Sequence, residues 1–204
     1  MRLKYRGVAI PLKLFLTSDD NQIARRNRYM LGIETRYLDL HYGDNNPKFD
    51  KLVLNGSRVR GIHAYVPAGI ANLHYVRGVI RNPIEGDILQ YDRSGTIPPN
   101  MNLQDSSYVQ SGTFQRKLGA IRASFGERHN IAYGGISLLK STDDTLSIQN
   151  GLQPKQNVVM GADATLNQGR YFRTSGGFAF SVTTNDISLG HVDKDELEDR
   201  KSVV

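Results

Sequence analysis

Residues 158–183, VVMGADATLNQGRYFRTSGGFAFSVT, hold two extended segments joined by a turn. In the first segment Val158, Met160, Ala162, Ala164 and Leu166 share one side, and Val159, Gly161, Asp163 and Thr165 share the other. In the second, Phe172, Phe178, Phe180 and Val182 fall with Thr174 and Gly176, opposite Tyr171, Arg173, Ser175, Gly177, Ala179, Ser181 and Thr183. Successive side chains of a strand point to opposite faces, so a period of two with one apolar side predicts paired strands rather than helices. Asn167-Gln168-Gly169-Arg170 supplies the Gly and Asn that a tight hairpin bend of twisted strands favours.

The same period continues toward the N-terminus. Val8, Ile10, Leu12, Leu14 and Leu16 oppose Ala9, Pro11, Lys13 and Phe15, with Pro11 marking an edge strand or one whose neighbour lies elsewhere. Tyr29, Leu31, Ile33 and Tyr37 oppose Met30, Gly32, Glu34 and Arg36, and the phase slips near Leu38, Leu40 and Tyr42, as a bulge would cause. Gly43-Asp44-Asn45-Asn46-Pro47 is a dense turn signal. Leu52–Leu54 and Arg58–Val66 form one extended stretch interrupted by Asn55-Gly56, and Pro67-Ala68-Gly69 leads into Ile70–Gly78. A further pair, Thr113–Phe125 and Asn130–Lys140, is joined by residues 126–129.

These segments predict about eight strands of about 10 to 14 residues, longer than the ~5–6 usual in globular sheets. Connections alternate in length: 67–69, 126–129 and 167–170 are tight, whereas Val79–Gly112 and Ser141–Asn157 are long and rich in Gly, Pro, Asn, Asp and Ser. Short turns at one end and long loops at the other are the habit of outer-membrane barrels. A β-sandwich gives the same two-faced alternation, so a soluble secreted or surface sandwich, binding carbohydrate or a protein through the Val79–Gly112 loop, stands as the alternative. The expected fold is all-β, an antiparallel up-and-down meander of long hairpins forming a partial or small transmembrane β-barrel.

Composition narrows the function. Hydrophobic residues are 39% of the chain and the mean hydropathy is −0.43. No stretch approaches the ~18 apolar residues of a spanning helix, so any membrane crossing falls to strands, whose backbone is satisfied only by pairing and closure. The absence of cysteine removes disulfide scaffolds, thiolate metal sites and cysteine nucleophiles. The net charge of +6 is scattered singly, without the clustered patch of a nucleic-acid binder, and no nucleic-acid partner is expected. The opening MRLKYRGVAIPLKLFL is broken by Pro11 and Lys13 and lacks a small-residue cleavage site, unlike a signal peptide.

The barrel segment is expected over residues 1–190, followed by a charged tail at 191–204. Asp199-Arg200-Lys201-Ser202-Val203-Val204 matches the translation of a widely used sequencing-library adapter, gat-cgg-aag-agc-gtc-gtg. On that reading the natural protein continues beyond Glu198, and the lack of a signal peptide likewise fits a fragment.

No motif carries chemistry. Walker, GxGxxG, HExxH and nucleophile-elbow patterns are absent, and Asp19-Asp20-Asn21 and Asp143-Asp144 lack the glycine and distal glutamate of a calcium loop. His63 and His74 flank the tight turn at 67–69, facing the same side when paired directly and opposite sides after a one-residue shift. His41, His129 and His191 fall beside turns or in the tail, where solvated histidines are usual. No catalytic, cofactor-binding or metal-ligating residue is therefore assigned, no cofactor is expected, and the chain is not expected to be an enzyme. Glu34, Arg36, Arg122 and Arg173 are expected on the inner side, since a cation facing lipid costs about 2–4 kcal/mol near the midplane. Tyr29, Tyr42, Tyr65, Tyr133 and Tyr171, near strand ends, are candidates for interfacial aromatic belts.

Residues 27–44 (NRYMLGIETRYLDLHYGD), then Asn46-Pro47-Lys48-Phe49 and 52–61 (LVLNGSRVRG), resemble segments of large bacterial outer-membrane barrels. There a GD-x-x-P-x-F turn is followed by an L-x-L-x-G-x-x-V-R-G strand, and the barrel of the gliding-motility and type IX secretion translocon contains similar text. Residues 154–163 (PKQNVVMGAD) resemble a loop-to-strand entry in such barrels. The resemblance covers about half the chain. It implies a Gram-negative outer-membrane location, lipid and other barrel strands or chains as partners, and a transport, secretion or surface-anchoring role. It carries over no catalytic residue.

Overall fold

The structure, a computed structural model, describes residues 1–18, 27–88, 109–110, 112–126, 131–149, 151, 153–168 and 172–187. In chain order the strands are β1 (Arg2–Tyr5), β2 (Val8–Phe15), β3 (Arg28–Glu34), β4 (Asp39–Asn45), β5 (Val59–Ala68) and β6 (Ala71–Arg81). They continue as β7 (Asp87–Ile88), β8 (Val109–Gln110), β9 (Gln115–Phe125), β10 (Ala132–Asp144), β11 (Gln156–Gln168) and β12 (Phe172–Thr184). Ten of them form one antiparallel sheet in the order β1-β2-β3-β4-β5-β6-β9-β10-β11-β12, and β7 pairs with β8 apart from it. The expected all-β up-and-down meander is therefore the observed one, and no helix occurs among the described residues.

Three strand assignments differ from the sequence expectation. The phase slip at Leu38 is a hairpin turn, not a bulge. The Thr35 N–H and hydroxyl both donate to the Leu38 carbonyl (2.9 Å each), and its Oγ1 accepts from the Tyr37 and Leu38 N–H groups, so one side chain reverses the chain and splits the segment into β3 and β4. The N-terminal run holds a second strand, β1, because Arg6 and Gly7 both take positive φ (44° and 83°), the geometry of a two-residue turn matched to strand twist. Leu52–Leu54 leaves the sheet altogether. A true register shift does occur, between Val79 and Arg81 against β9.

All connections at one end of the sheet are short: residues 6–7, 35–38, 69–70, 126–131 and 169–171. Those at the other end, 16–27, 46–58, 82–114 and 145–155, are long. The Gly126–His129 turn, the 167–170 turn and the Val79–Gly112 loop fall partly outside the described residues, as do Asp19–Asn21, Tyr171, His129, His191 and the 191–204 tail wholly.

The register confirms the two faces. Directly paired residues share a face, so Tyr75, Ile121, Leu138, Met160 and Phe180 form one outer row across five strands. Leu12, Leu31 and Tyr42 extend that face through β2, β3 and β4. Nothing among the described residues covers it: Leu31 and Met160 are each 52% exposed and Phe178 is 70% exposed. A sandwich would bury these side chains beneath a second sheet, and none does so among the described residues. The opposite, inner face is lined by Ala, Gly, Ser, His and charged residues around an apolar patch of Val59, Val76, Leu118, Leu139 and Val159. The sheet is open: β1 pairs only with β2 and β12 only with β11, so β2 and β12 do not meet.

Of the charged residues expected inward, Glu34, Arg122 and Arg173 lie on the inner side by register. Arg36 does not: it sits in the 35–38 turn with its guanidinium 5.7 Å from the Tyr37 ring. Tyr65 and Tyr133 are likewise inner-facing, paired across strands with His74 and Thr165, and cannot contribute to an exterior aromatic belt.

Gly43, at φ 113°, lets β4 pass the Tyr29 carbonyl of β3 at a spacing no side chain permits, since a Cβ there would stand 2.2 Å from that oxygen. Gly43→Ala is expected to destabilise the fold by more than about 1 kcal/mol, combining backbone strain with a clash. Gly119→Ala, where an added Cβ meets nothing within 4 Å, is expected to be near neutral. Denaturant midpoints followed by far-ultraviolet circular dichroism distinguish the two.

Candidate functional site

Between β4 and β5 the chain folds back against the inner face. Residues 46–58 can do so because they satisfy their own backbone. Phe49 N–H donates to the Leu54 carbonyl (2.8 Å), Gly56 N–H to Pro47 (2.9 Å) and Leu54 N–H to Asp50 (3.2 Å). The Asp50 carboxylate accepts the Leu52 N–H at 3.1 Å, and Gly56 takes the positive φ of 74° that closes the turn. The result is a compact inserted loop rather than the extended strand expected over Leu52–Leu54. A three-residue apolar run bounded by Asp50 and by Asn55-Gly56 is too short for the sheet, and that was the available signal.

The loop is held by apolar contact. Phe49 (2% exposed) and Leu54 (4%) form one cluster with Val59, Val76, Leu118, Ala120 and Leu139, from β5, β6, β9 and β10, and Val53 and Val159 pack against it. Gly161 of β11 makes room, because a Cβ there would lie 2.5 Å from Val53 Cγ2. Burying Phe49 and Leu54 contributes about 1.5–3 kcal/mol each.

Around this apolar anchor the inner face carries a polar row crossing successive strands. Glu34 of β3 contacts His41 Nε2 of β4 at 3.3 Å and also pairs with Arg2. The His41 ring lies 5.9 Å from that of His63, which stacks on His74 at 6.3 Å. His74 pairs in register with Arg122 of β9. His63 and His74 therefore share a face without pairing directly: Tyr65 sits opposite His74 and His63 opposite Val76, a two-residue offset that preserves the face as direct pairing would. His41, expected to be solvated beside a turn, stands mid-strand with its side chain 18% exposed. Phe49 meets the edge of the His74 ring at 5.8 Å, tying the loop to the row.

Arg122 ends the row and is its most constrained member, with 1% exposure. Its Nη1 donates to Asp163 Oδ1 (2.5 Å) and Ser137 Oγ (2.8 Å), and its Nη2 to Asp163 Oδ2 (2.9 Å) and Tyr133 OH (3.1 Å). This two-pronged fork on a carboxylate is the strong form of an Arg–Asp pair. Gly135 sits beneath it, where a Cβ would come 2.8 Å from Nη2. A second cluster braces the long-loop end: Asp143 accepts Arg116 Nε and Nη2 (2.7 Å each), Arg81 Nη2 (3.3 Å) and the Lys155 N–H (3.0 Å).

Two cavities of mixed lining border the loop. One, of about 630 Å3, lies among Arg2, Pro11, Met30, Glu34, His41 and Asn46. The other, of about 490 Å3, lies between the loop and β10–β12, bordered by Lys48, Lys51, Tyr133, Asp163, Arg173 and Ser175. No group of three His, Cys, Asp or Glu placed to hold a metal ion occurs among the described residues. The arrangement is suited to binding and positioning polar solutes beside a fixed loop. Comparison with known protein families, curated proteins and solved structures finds no match to this chain.

Asp163→Ala removes both acceptors of the Arg122 fork and is expected to cost about 3–5 kcal/mol, the usual penalty of a buried charge left unpaired. Phe49→Ala is expected to cost about 3–5 kcal/mol. It should also accelerate proteolysis selectively within 46–58, whereas Asp163→Ala should not, as mapped by mass spectrometry of limited digests.

Proposed function

We propose that this chain forms an arc of a bacterial outer-membrane β-barrel with a transport, secretion or surface-anchoring role and no catalytic activity. Outer-membrane lipid covers its outer face, and further barrel strands, from the same or another chain, complete its edges. The observation that carries this reading is the inverted sheet: its apolar side is uncovered across ten strands, while the buried polar groups and the inserted loop lie on the other side. Arg77 and Lys140 share the apolar side, one row from that of Tyr75 and Phe180 toward the long-loop end. Water penalises that arrangement and hydrocarbon favours it, provided that every backbone group inside the bilayer is paired.

The dimensions agree. From Phe172 to Val182 the apolar side of β12 runs about 33 Å at ~3.3 Å per residue, which projects to about 25 Å at a tilt of ~40°, the height of a barrel's apolar band. Tyr5 and Tyr37 stand exposed toward the short-turn end and Tyr29 toward the long-loop end, positions suited to the two interfaces. Short turns on one side and long loops on the other match periplasmic and external connections. The thirteen-residue edge of β12 is a long unpaired template, which closure removes. The likeness of residues 27–61 and 154–163 to large outer-membrane barrels supports the same reading.

Expressed with an export signal in a Gram-negative host, the chain is expected in the outer-membrane fraction, released by detergent but not by alkaline or high-salt wash. A chain that stays folded and monodisperse in detergent-free buffer would overturn the proposal. Met160→Arg and Leu138→Arg, in the middle of the outer face, are each expected to lower stability in lipid vesicles by about 2–4 kcal/mol, against less than about 1 kcal/mol for the inner-facing Ser181→Arg.

A further inference from the structure

We propose that the cavity of about 490 Å3 between the inserted loop and β10–β12 binds a compact polyanionic solute, one bearing phosphate or several carboxylates. The inference deepens the barrel reading and rests on it, since it treats the inner face as the solute's path.

The charge around this cavity is unbalanced. Lys48 and Lys51 border it from the loop and Arg173 from β12, and no ion pair among the described residues engages any of the three. Of its two carboxylates, one is paired with a cation outside the lining and the other holds a backbone N–H. Both oxygens of Asp163 accept the Arg122 fork, and Asp50 Oδ2 accepts the Leu52 N–H. Arg122 cancels Asp163, and Asp50 offsets only one of the three remaining cations, so the lining keeps a net positive charge. Tyr133 borders the cavity and brings an O–H donor, its oxygen already accepting from Arg122 Nη2.

The backbone that carries the two lysines is also anchored. Lys48 and Lys51 flank Phe49, which is locked in the apolar cluster at 2% exposure. Their backbone is therefore fixed before a ligand arrives, and a preorganised site binds without the cost of ordering a loop. The volume suits a small molecule rather than a polymer.

Inorganic pyrophosphate is the probe, titrated calorimetrically into the full chain refolded in detergent micelles, with maltose as the neutral comparison. Pyrophosphate is expected to bind, to weaken with added salt, and to lose about tenfold or more in affinity in Lys51→Glu and in Arg173→Glu, the loss of one charge-assisted contact. Lys140→Gln on the outer face should leave binding unchanged, and maltose should give no saturable heat. A chain with its full β-sheet dichroism that binds no pyrophosphate, or whose binding survives both charge reversals, overturns the proposal. Failure of the barrel reading shows separately, as a chain that folds in water without detergent, and the same titration in plain buffer then decides the cavity.

Discussion

An antiparallel sheet satisfies its backbone by pairing whatever its side chains face, so the burden of solvation falls entirely on the two faces. In this protein the faces are assigned in the opposite sense to that of a water-soluble sheet. Leu, Ile, Phe, Met and Tyr stand outward and uncovered, while Arg122, Asp143, Ser137 and Asn45 are buried on the inner side or at its rim. Every other feature follows from that inversion: the inserted loop, the carboxylate–guanidinium clusters and the open edges all concern how a polar interior is filled and closed.

A polar interior must be hydrogen-bonded throughout, because a buried charge without partners costs several kcal/mol. Arg122 meets this demand at both terminal nitrogens by drawing acceptors from β10 and β11, its buried Nε alone lacking a partner among the described residues. The cluster on Asp143 draws donors from β6, β9 and the approach to β11. Each network ties several strands at one level, so it fixes register as well as charge. Between the two levels the interior is apolar, and the inserted loop seats Phe49 and Leu54 there. Polar bracing at two levels and an apolar anchor between them give the loop a single position.

That fixed loop is what turns an arc of sheet into a shaped site. Without residues 46–58 the inner face would be a broad surface with histidines, serines and arginines in rows. With them it becomes two cavities of different lining, one bordered by Glu34 and His41 and the other by Lys48, Lys51 and Arg173. Selectivity in such an interior is a matter of charge placement and width, which the loop sets together.

Most of the strands and the face each residue takes within them were legible in the sequence, because both depend on the period of two along a single chain. Val158 to Leu166 and Val8 to Leu14 show outward the residues their alternation predicts. The turn at Thr35 escaped that reading because a bulge and a four-residue reversal shift the phase alike, and only hydrogen bonding to Leu38 separates them. The fork between Arg122 and Asp163, 41 residues apart, the line of His41, His63 and His74, and the descent of residues 46–58 into the interior were decided by the tertiary structure. Facing is a local property of an extended backbone, whereas register and insertion depend on how distant strands align, and a shift of two residues leaves every face unchanged while replacing every neighbour.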